Sequence, residues 1–355
     1  MAAPVCDPAS IQRVLTDALE AARPLEGGGP ATYIPELANA DLGATSAAVT
    51  LMDGTTLLAG DHQTHRFTLQ SSAKLVVLAG LLEERGEDEV FSAVGKEPSG
   101  GGFSSVARLE THGPTPANPL VNAGAIALCG LLEGNLEDRL GWLETWIEKL
   151  YGERLSVNPR VLASERRTGD TNRALAYMLK AGGALQGSVD EVLETYFTLC
   201  SFEAGVEQVA RLGGTLATEG VHPITRTRVL SRYSSSIVVS LMATCGMYDE
   251  SGAYLAETGL PAKSGVSGVI VALAPGRGGI AVSSPRINAK GGSVRGHAIL
   301  RTLAEERKKR EFDPTLTLLR ETLMEEPASP LERHAQTRMR AMHDLMEELG
   351  DWYQD

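Results

Sequence analysis

The chain has 355 residues, a formal net charge of −12, 43% hydrophobic and 22% charged residues. That is an ordinary globular composition, long enough for one large domain or two lobes. The acidity argues against nucleic acid or an anionic membrane as partner, and no run approaches the eighteen apolar residues of a membrane span.

Asp7-Pro8 is a capping pair for a helix to about Ala22, with Ile11, Val14, Leu15, Ala18 and Leu19 on one face. Before it, Met-Ala-Ala-Pro-Val-Cys-Asp-Pro has neither a basic nor an apolar stretch, so cytoplasm is the expected location. The turn Gly27-Gly28-Gly29-Pro30 leads to Tyr33-Ile34-Pro35-Glu36-Leu37. Strand-like runs follow near 46–52, 55–59 and 66–69, the first two joined by the hairpin signal Asp53-Gly54. A helix is expected from Ser71 to about Gly86. The loop Glu97-Pro98-Ser99-Gly100-Gly101-Gly102-Phe103 lacks the lysine of a phosphate cradle and reads as a flexible cleft edge.

Helical periodicity recurs at about 122–133, 136–151, 172–182, 189–200, 205–217 and 234–245. Strand patterns return at 253–255, 266–273 and 280–284, with Pro275-Gly276-Arg277-Gly278-Gly279 as a turn, and an amphipathic helix spans about 293–310. The cluster Arg307-Lys308-Lys309-Arg310 reads as its solvated end. Residues 313–355 read as two helices around Glu326-Pro327-Ala328-Ser329-Pro330, packing on the core or at an oligomer contact. The pattern predicts an α/β (α+β) fold with a split antiparallel sheet: strands within 1–70 and 246–312 flank a helical lobe over 71–245, and 313–355 is an extension. Cys6, Cys129, Cys200 and Cys245 have neither Cys-x-x-Cys nor metal-like spacing with the seven histidines, so they read as free thiols with no metal site.

The chemistry centres on Leu69 to Leu82. From Ala73 onward every residue there is apolar or small except Lys74, and Ser71 lies one turn earlier on the same face. Serine needs an adjacent base to act as a nucleophile. A lysine in water, with a pKa of about 10.4, cannot take its proton; burial lowers that value by up to about 3–5 and makes it a usable base. Backbone N–H groups at the helix start are then available to an oxyanion. Lys263-Ser264-Gly265 is the second element, and no other Ser-x-x-Lys or Lys-Ser/Thr-Gly occurs in the chain. Together the two resemble the active-site pair of serine β-lactamase-like enzymes.

Other polar residues have plain structural readings. Asn122, in Asn118-Pro119-Leu120-Val121-Asn122, fits a helix N-cap. Ser164-Glu165 and Asn172 flank the Gly169-Asp170 turn and read equally as caps or surface groups, and Tyr196 and Tyr248 as core tyrosines.

A family resemblance joins these positions. Tyr33 to Leu37, Gln70 to Lys74, Val94 to Gly100, Asn118 to Ile126, Asn172 to Ala176, Cys245 to Asp249 and Lys263 to Gly268 are similar, in order, to the motif set of the serine-dependent glutaminases, over about residues 30–300. The resemblance implies a β-lactamase-like fold and hydrolysis of L-glutamine to L-glutamate and ammonia without a cofactor, through a γ-glutamyl-serine intermediate. It implies Ser71 as nucleophile, Lys74 as base and Tyr248 as the relay that protonates ammonia and activates water. The backbone N–H groups of Ser71 and Val266 would form the oxyanion hole. Glu165 would meet the substrate α-ammonium. Tyr33, Asn122, Asn172 and Tyr196 would line the pocket, and Lys263 would tune the electrostatics of the site. A homodimer or homotetramer is expected. The chain departs from the family pattern at Ser104, Thr171, Ala217-Thr218-Glu219-Gly220 and Gly292, none of them among the implied contacts. A β-lactamase or penicillin-binding hydrolase shares the two lysine motifs but acts outside the cytoplasm. A catalytically silent glutamine-binding protein would not need Ser71, Lys74 and Tyr248 together.

Overall fold

A computed structural model describes residues 7–100, 109–111 and 113–307. The chain divides into two compact units, 1–302 and 303–355. Of the second, only 303–307 are described, and they are helical. Cys6, Ser104, the loop beyond Gly100, most of the basic cluster and the expected helices of 313–355 therefore lie outside the described residues.

The first helix, Pro8–Ala22, starts where Asp7 accepts from the backbone N–H groups of Ala9 and Ser10, at 3.3 and 3.1 Å. Strands β1 (Ser46–Leu51) and β2 (Thr56–Gly60) form the hairpin announced by Asp53-Gly54. The short β3 (Phe67–Thr68), β4 (Ser156–Val157) and β5 (Phe202–Ala204) come next. The last three are β6 (Ala262–Ser264), β7 (Val269–Ala274) and β8 (Gly278–Ser283).

The main sheet is antiparallel in the order β2-β1-β8-β7-β6, so its strands come from opposite ends of the chain, as the split pattern requires. Every residue of β7 and β8 is buried, which suits near-continuous apolar runs. Helix Val206–Ala217 lies hard against them: a Cβ on Gly213 would sit 2.7 Å from the Ala272 carbonyl oxygen, and one on Gly279 2.0 Å from the Gly214 nitrogen. Only glycine admits that approach. Between the two sets of strands, the described residues include helices Lys74–Ala93, Asn122–Gly130, Leu136–Tyr151, Pro159–Thr168, Asp170–Ala181, Val189–Ser201 and Arg232–Cys245 besides the one packed on the sheet. The fold is of the β-lactamase-like type. Among the described residues no helix is long and apolar enough to cross a membrane.

Several expectations are corrected. Residues 253–255 belong to helix Ser251–Thr258, closed by Gly259 at φ 62°; three residues carry too little periodicity to separate strand from helix. The strand expected from 266 starts at Val269, because 265–268 form the tight turn between β6 and β7: Gly268 donates to the Gly265 oxygen at 2.9 Å and Gly265 to the Val269 oxygen at 2.8 Å. A second sheet, β3-β5-β4, joins the run expected at 66–69 to β4 and β5, two strands of the helical region too short to leave a sequence signal. The first helix of the lobe continues to Ala93 after its backbone breaks helical geometry at Gly86 (φ 79°). Helix Pro159–Thr168 was not anticipated, although Asn158-Pro159 is a cap followed by proline at the first helical position. Its buried stripe, Val161, Ser164 and Glu165, is mostly polar, so no apolar face reveals it.

Candidate active site

The chain turns sharply between Leu69 and Ser71. Gln70 sits at φ 48°, a left-handed conformation for a non-glycine residue, and Gln70–Ala73 form a 3-10 turn ahead of helix Lys74–Ala93. Ser71 therefore precedes the α-helix rather than opening it. The turn is pinned on both sides: Leu69 N–H donates to the Phe202 oxygen at 2.8 Å, and a Cβ on Gly265 would lie 2.7 Å from the Leu69 oxygen. The glycine of Lys263-Ser264-Gly265 is thus required by the close approach of β6 to the Ser71 turn.

Lys74 is 1% exposed. Its Nζ donates to Asn122 Oδ1 at 2.7 Å and to the Leu120 carbonyl oxygen at 3.3 Å. Burial brings its pKa down to about 8, against the upward pull of Cys200 and Glu165. A neutral amine has two N–H groups and one lone pair. With both N–H groups engaged, the lone pair takes the remaining tetrahedral direction.

Asn122 is the first residue of its helix, and Val121 holds the cap position, which corrects the N-cap reading. Its side chain instead bridges Lys74 and Asn172: Oδ1 accepts from Lys74, and Nδ2 donates to Asn172 Oδ1 at 2.9 Å. Glycine at 124 makes this possible, since a Cβ there would fall 2.0 Å from the Asn118 oxygen.

Glu165, on the unanticipated helix, is 5% exposed. Burial raises its carboxyl pKa to about 7, opposed by a hydrogen bond with Gln70 and by Lys74. Tyr196 hydrogen-bonds the Cys200 thiol, and burial, then Cys200, Glu165, Tyr248 and Tyr33 in turn, push its phenol well above the usual value. Tyr33 is half-exposed and acts electrostatically with Glu165, Cys200 and Tyr248. Val266, buried in the β6–β7 turn, packs on Ala31, Ile34 and Leu37, beside the Tyr33 segment. Tyr248 hydrogen-bonds Ser71, and burial raises its phenol pKa. Lys263 is fully buried with its Nζ 4.0 Å from the Tyr248 ring centroid.

The candidates thus gather into one connected cluster, in which Asn122, Asn172 and Lys74 are linked by direct hydrogen bonds. Two further members were missed. Gln70 donates from Nε2 to Thr68 Oγ1 at 3.3 Å and to the Cys200 oxygen at 3.4 Å, besides bonding Glu165. Cys200, at an apolar helical position, gives no sequence signal at all. Among the described residues no group of His, Cys, Asp and Glu could hold a metal ion.

Tyr248 is held by the neighbouring β6. A Cβ on Gly246 would lie 1.8 Å from the Ala262 oxygen and 2.6 Å from the Met242 oxygen. Both obstacles are backbone, so relief requires moving a strand or a helix end. Gly246→Ala is expected to cost at least about 2 kcal/mol, with a melting temperature several degrees lower and reduced turnover in the folded fraction. An unchanged melting temperature would refute the close approach.

A family model described as Glutaminase matches residues 28–312. The glutaminase of Legionella pneumophila strain Paris is 48% identical over 293 residues, covering 82% of this chain and 94% of that protein. Glutaminase 2 of Clostridium perfringens strain 13 is 40% identical over 285 residues, covering 79% of this chain and 93% of its own. A solved structure described as the probable glutaminase ybaS aligns with TM-score 0.83 at 37% identity, over 87% of this chain and 100% of that one. A Bacillus subtilis glutaminase, solved as a covalent complex with 5-oxo-L-norleucine, aligns with TM-score 0.76 at 36% identity, over 83% of this chain and 97% of that one. A family match across most of the chain, close relatives aligned over nearly their whole length and the same fold in solved structures agree: the chain belongs to the glutaminase family.

Proposed function

We propose that this glutaminase hydrolyses the side-chain amide of L-glutamine to L-glutamate and ammonia at the cluster around Ser71. Ser71 Oγ attacks the amide carbon while its proton passes to Lys74. The oxyanion is held by the backbone N–H groups of Ser71 and Val266, neither of which donates to a backbone oxygen among the described residues. Each such donor is worth about 10²–10³ in rate. The tetrahedral intermediate collapses as the proton is returned to the leaving nitrogen through Lys74 and Tyr248, releasing ammonia and leaving a γ-glutamyl ester on Ser71. Water then attacks that ester, losing its proton to the same groups, and glutamate leaves with Ser71 restored.

Glu165 receives the substrate α-ammonium, and Tyr33, Asn122, Asn172 and Tyr196 hold the α-carboxylate and the amide. No cofactor enters the reaction. The family resemblance also supports a homodimer or homotetramer in the cytoplasm.

The observation that carries this reading is Lys74: a buried amine with a pKa of about 8 and both of its neutral-state N–H groups engaged, one turn after a serine. The covalent complex of the Bacillus subtilis relative was formed by reaction with 6-diazo-5-oxo-L-norleucine, and the same reagent is expected to add to Ser71 here. The test is glutamate release from L-glutamine by the purified protein, beside a chromogenic β-lactam and with peptide mapping of the labelled protein. Glutamate release, an intact β-lactam and an adduct on Ser71 support the reading. β-Lactam cleavage without glutamate release would replace it with the acyl hydrolase alternative. Stabilisation by glutamine without turnover would leave a binding protein.

A further inference from the structure

Tyr248 has a backbone that a tyrosine does not adopt freely. Its φ is 57°, in the left-handed region where a Cβ crowds the following carbonyl oxygen. Such a conformation persists only where the surroundings fix it. The backbone is held by Ser251, whose Oγ accepts from Met247 N–H at 3.0 Å and donates to the Tyr248 oxygen at 2.8 Å. The ring is held differently. Lys74 Nζ stands 5.8 Å from its centroid and Lys263 Nζ 4.0 Å from it, so two amines flank the phenol whose hydroxyl meets Ser71.

Lys263 reaches this position from a rigid support. It lies opposite Val271 of β7 on β6, the edge strand of the main sheet, and its side chain is wholly buried. Its Nζ donates to the carbonyl oxygen of Ser264 at 2.6 Å. Sites carried on strands are held more tightly than sites on loops.

We propose that Lys263 is a positioning residue for Tyr248: its amine, anchored on the Ser264 carbonyl, clamps the ring so that the phenol hydroxyl stays on Ser71. The inference rests on the role given to Tyr248 above and adds the group that makes that role possible. The clamp works with an uncharged amine. An ammonium has three N–H groups to satisfy, and the Ser264 oxygen and the Tyr248 ring would leave one of them buried without a partner among the described residues. Burial, and then the charge of Lys74, move Lys263 toward the neutral form. One N–H then serves Ser264, and another can face the electron-rich ring. When Lys74 accepts the serine proton, its new charge reinforces the neutrality of Lys263, so the clamp persists through the catalytic cycle.

The alternative is that Lys263 is charged and acts by tuning the pKa of Lys74. The two differ in a pH profile. Lys263→Met keeps the stem and removes the amine. As a clamp, Lys263 predicts a fall in kcat of about 10²-fold, the usual cost of misplacing a catalytic group by about 1 Å. It also predicts a KM for glutamine within about twofold of wild type and an acid limb of kcat/KM at the wild-type pH. Lys263→Gln, which can restore a donor to the Ser264 oxygen, is expected to recover part of kcat and serves in place of Lys263→Met if that variant does not fold.

The decisive comparison is with Tyr248→Phe. If Lys263 acts through the tyrosine, the double variant is no slower than Tyr248→Phe alone. An acid limb displaced by half a pH unit or more, or additive losses in the double variant, would overturn the clamp. So would wild-type kcat in Lys263→Met beside an impaired Tyr248→Phe. Full activity of Tyr248→Phe itself would instead show that the role given to the tyrosine is wrong.

Discussion

Ser71→Ala is expected to lower glutamine turnover by about 10⁴–10⁶-fold, the range found when the nucleophile of a cooperative serine site is removed. The loss should appear in kcat, because the nucleophile forms its bond only as the reaction proceeds. Binding should survive. Glu165, Asn122, Asn172 and Tyr196 are anchored on four separate helices, and none of them depends on the serine hydroxyl. Fold should survive too: the hydroxyl lost is one hydrogen-bond partner of Tyr248, a net effect of about 1 kcal/mol. Steady-state kinetics with calorimetric titration of glutamine into the variant separates the two quantities. Wild-type turnover in Ser71→Ala would remove the serine from the mechanism, and loss of binding together with turnover would mean the hydroxyl also organises the pocket.

Lys74→Met is expected to be as inactive as Ser71→Ala yet no less stable than wild type. Holding a lysine with a pKa of about 8 in place of 10.5 disfavours the native state below pH 8 by about 3 kcal/mol. Methionine removes that penalty. Against it, the Leu120 oxygen and Asn122 Oδ1 lose their donor, which costs about 1–3 kcal/mol. The two effects are of similar size, so the melting temperature at pH 7 should stay near that of wild type or rise.

The sign follows from linkage. The folded pKa lies below the unfolded one, so between pH 8 and 10.5 the unfolded chain carries a proton that the folded chain has released. Lys74 therefore makes wild-type stability rise with pH across that window, and Lys74→Met should lose this contribution. Activity follows the same group. The base must be unprotonated, and Glu165 must be a carboxylate to receive an ammonium, so with values of about 8 and about 7 kcat/KM should climb from pH 6 to 9. A profile that is flat over that range, or one that falls, would contradict Lys74 as the base. Denaturant melts and kinetics over the same buffers test both statements on one preparation.

Ser-x-x-Lys inside an apolar run and Lys-Ser-Gly far along the chain mark two segments that the fold brings together at the candidate site. Long, strongly periodic helices such as Leu136–Tyr151 and Val206–Ala217 were equally legible, and so was the Asp53-Gly54 hairpin. Asn122 shows where legibility stopped. As a residue at a helix start its cap reading was sound local chemistry, and only the approach of helix Lys74–Ala93 turned the same amide toward a buried amine. The helix that carries Glu165 was hidden for a related reason. It buries serine and glutamate on its inner stripe, because that face lines a polar site rather than an apolar core.

By itself, the sequence determined the long periodic helices and the strands of the Asp53-Gly54 hairpin, that the sheet is split around a helical lobe, and which serine and lysine lie within one turn of each other. These follow from periodicity, glycine placement and spacing, all local properties. Only the tertiary structure decided which buried polar groups face one another: Lys74 with Asn122, Asn122 with Asn172, Gln70 with Glu165, Lys263 with the ring of Tyr248. Each of these contacts joins groups from separate elements or turns, and two of the participants, Gln70 and Tyr248, hold left-handed backbones that no propensity favours. Strain of that kind is stable only because the packed elements around it leave no alternative, so no local reading of the chain could have shown it.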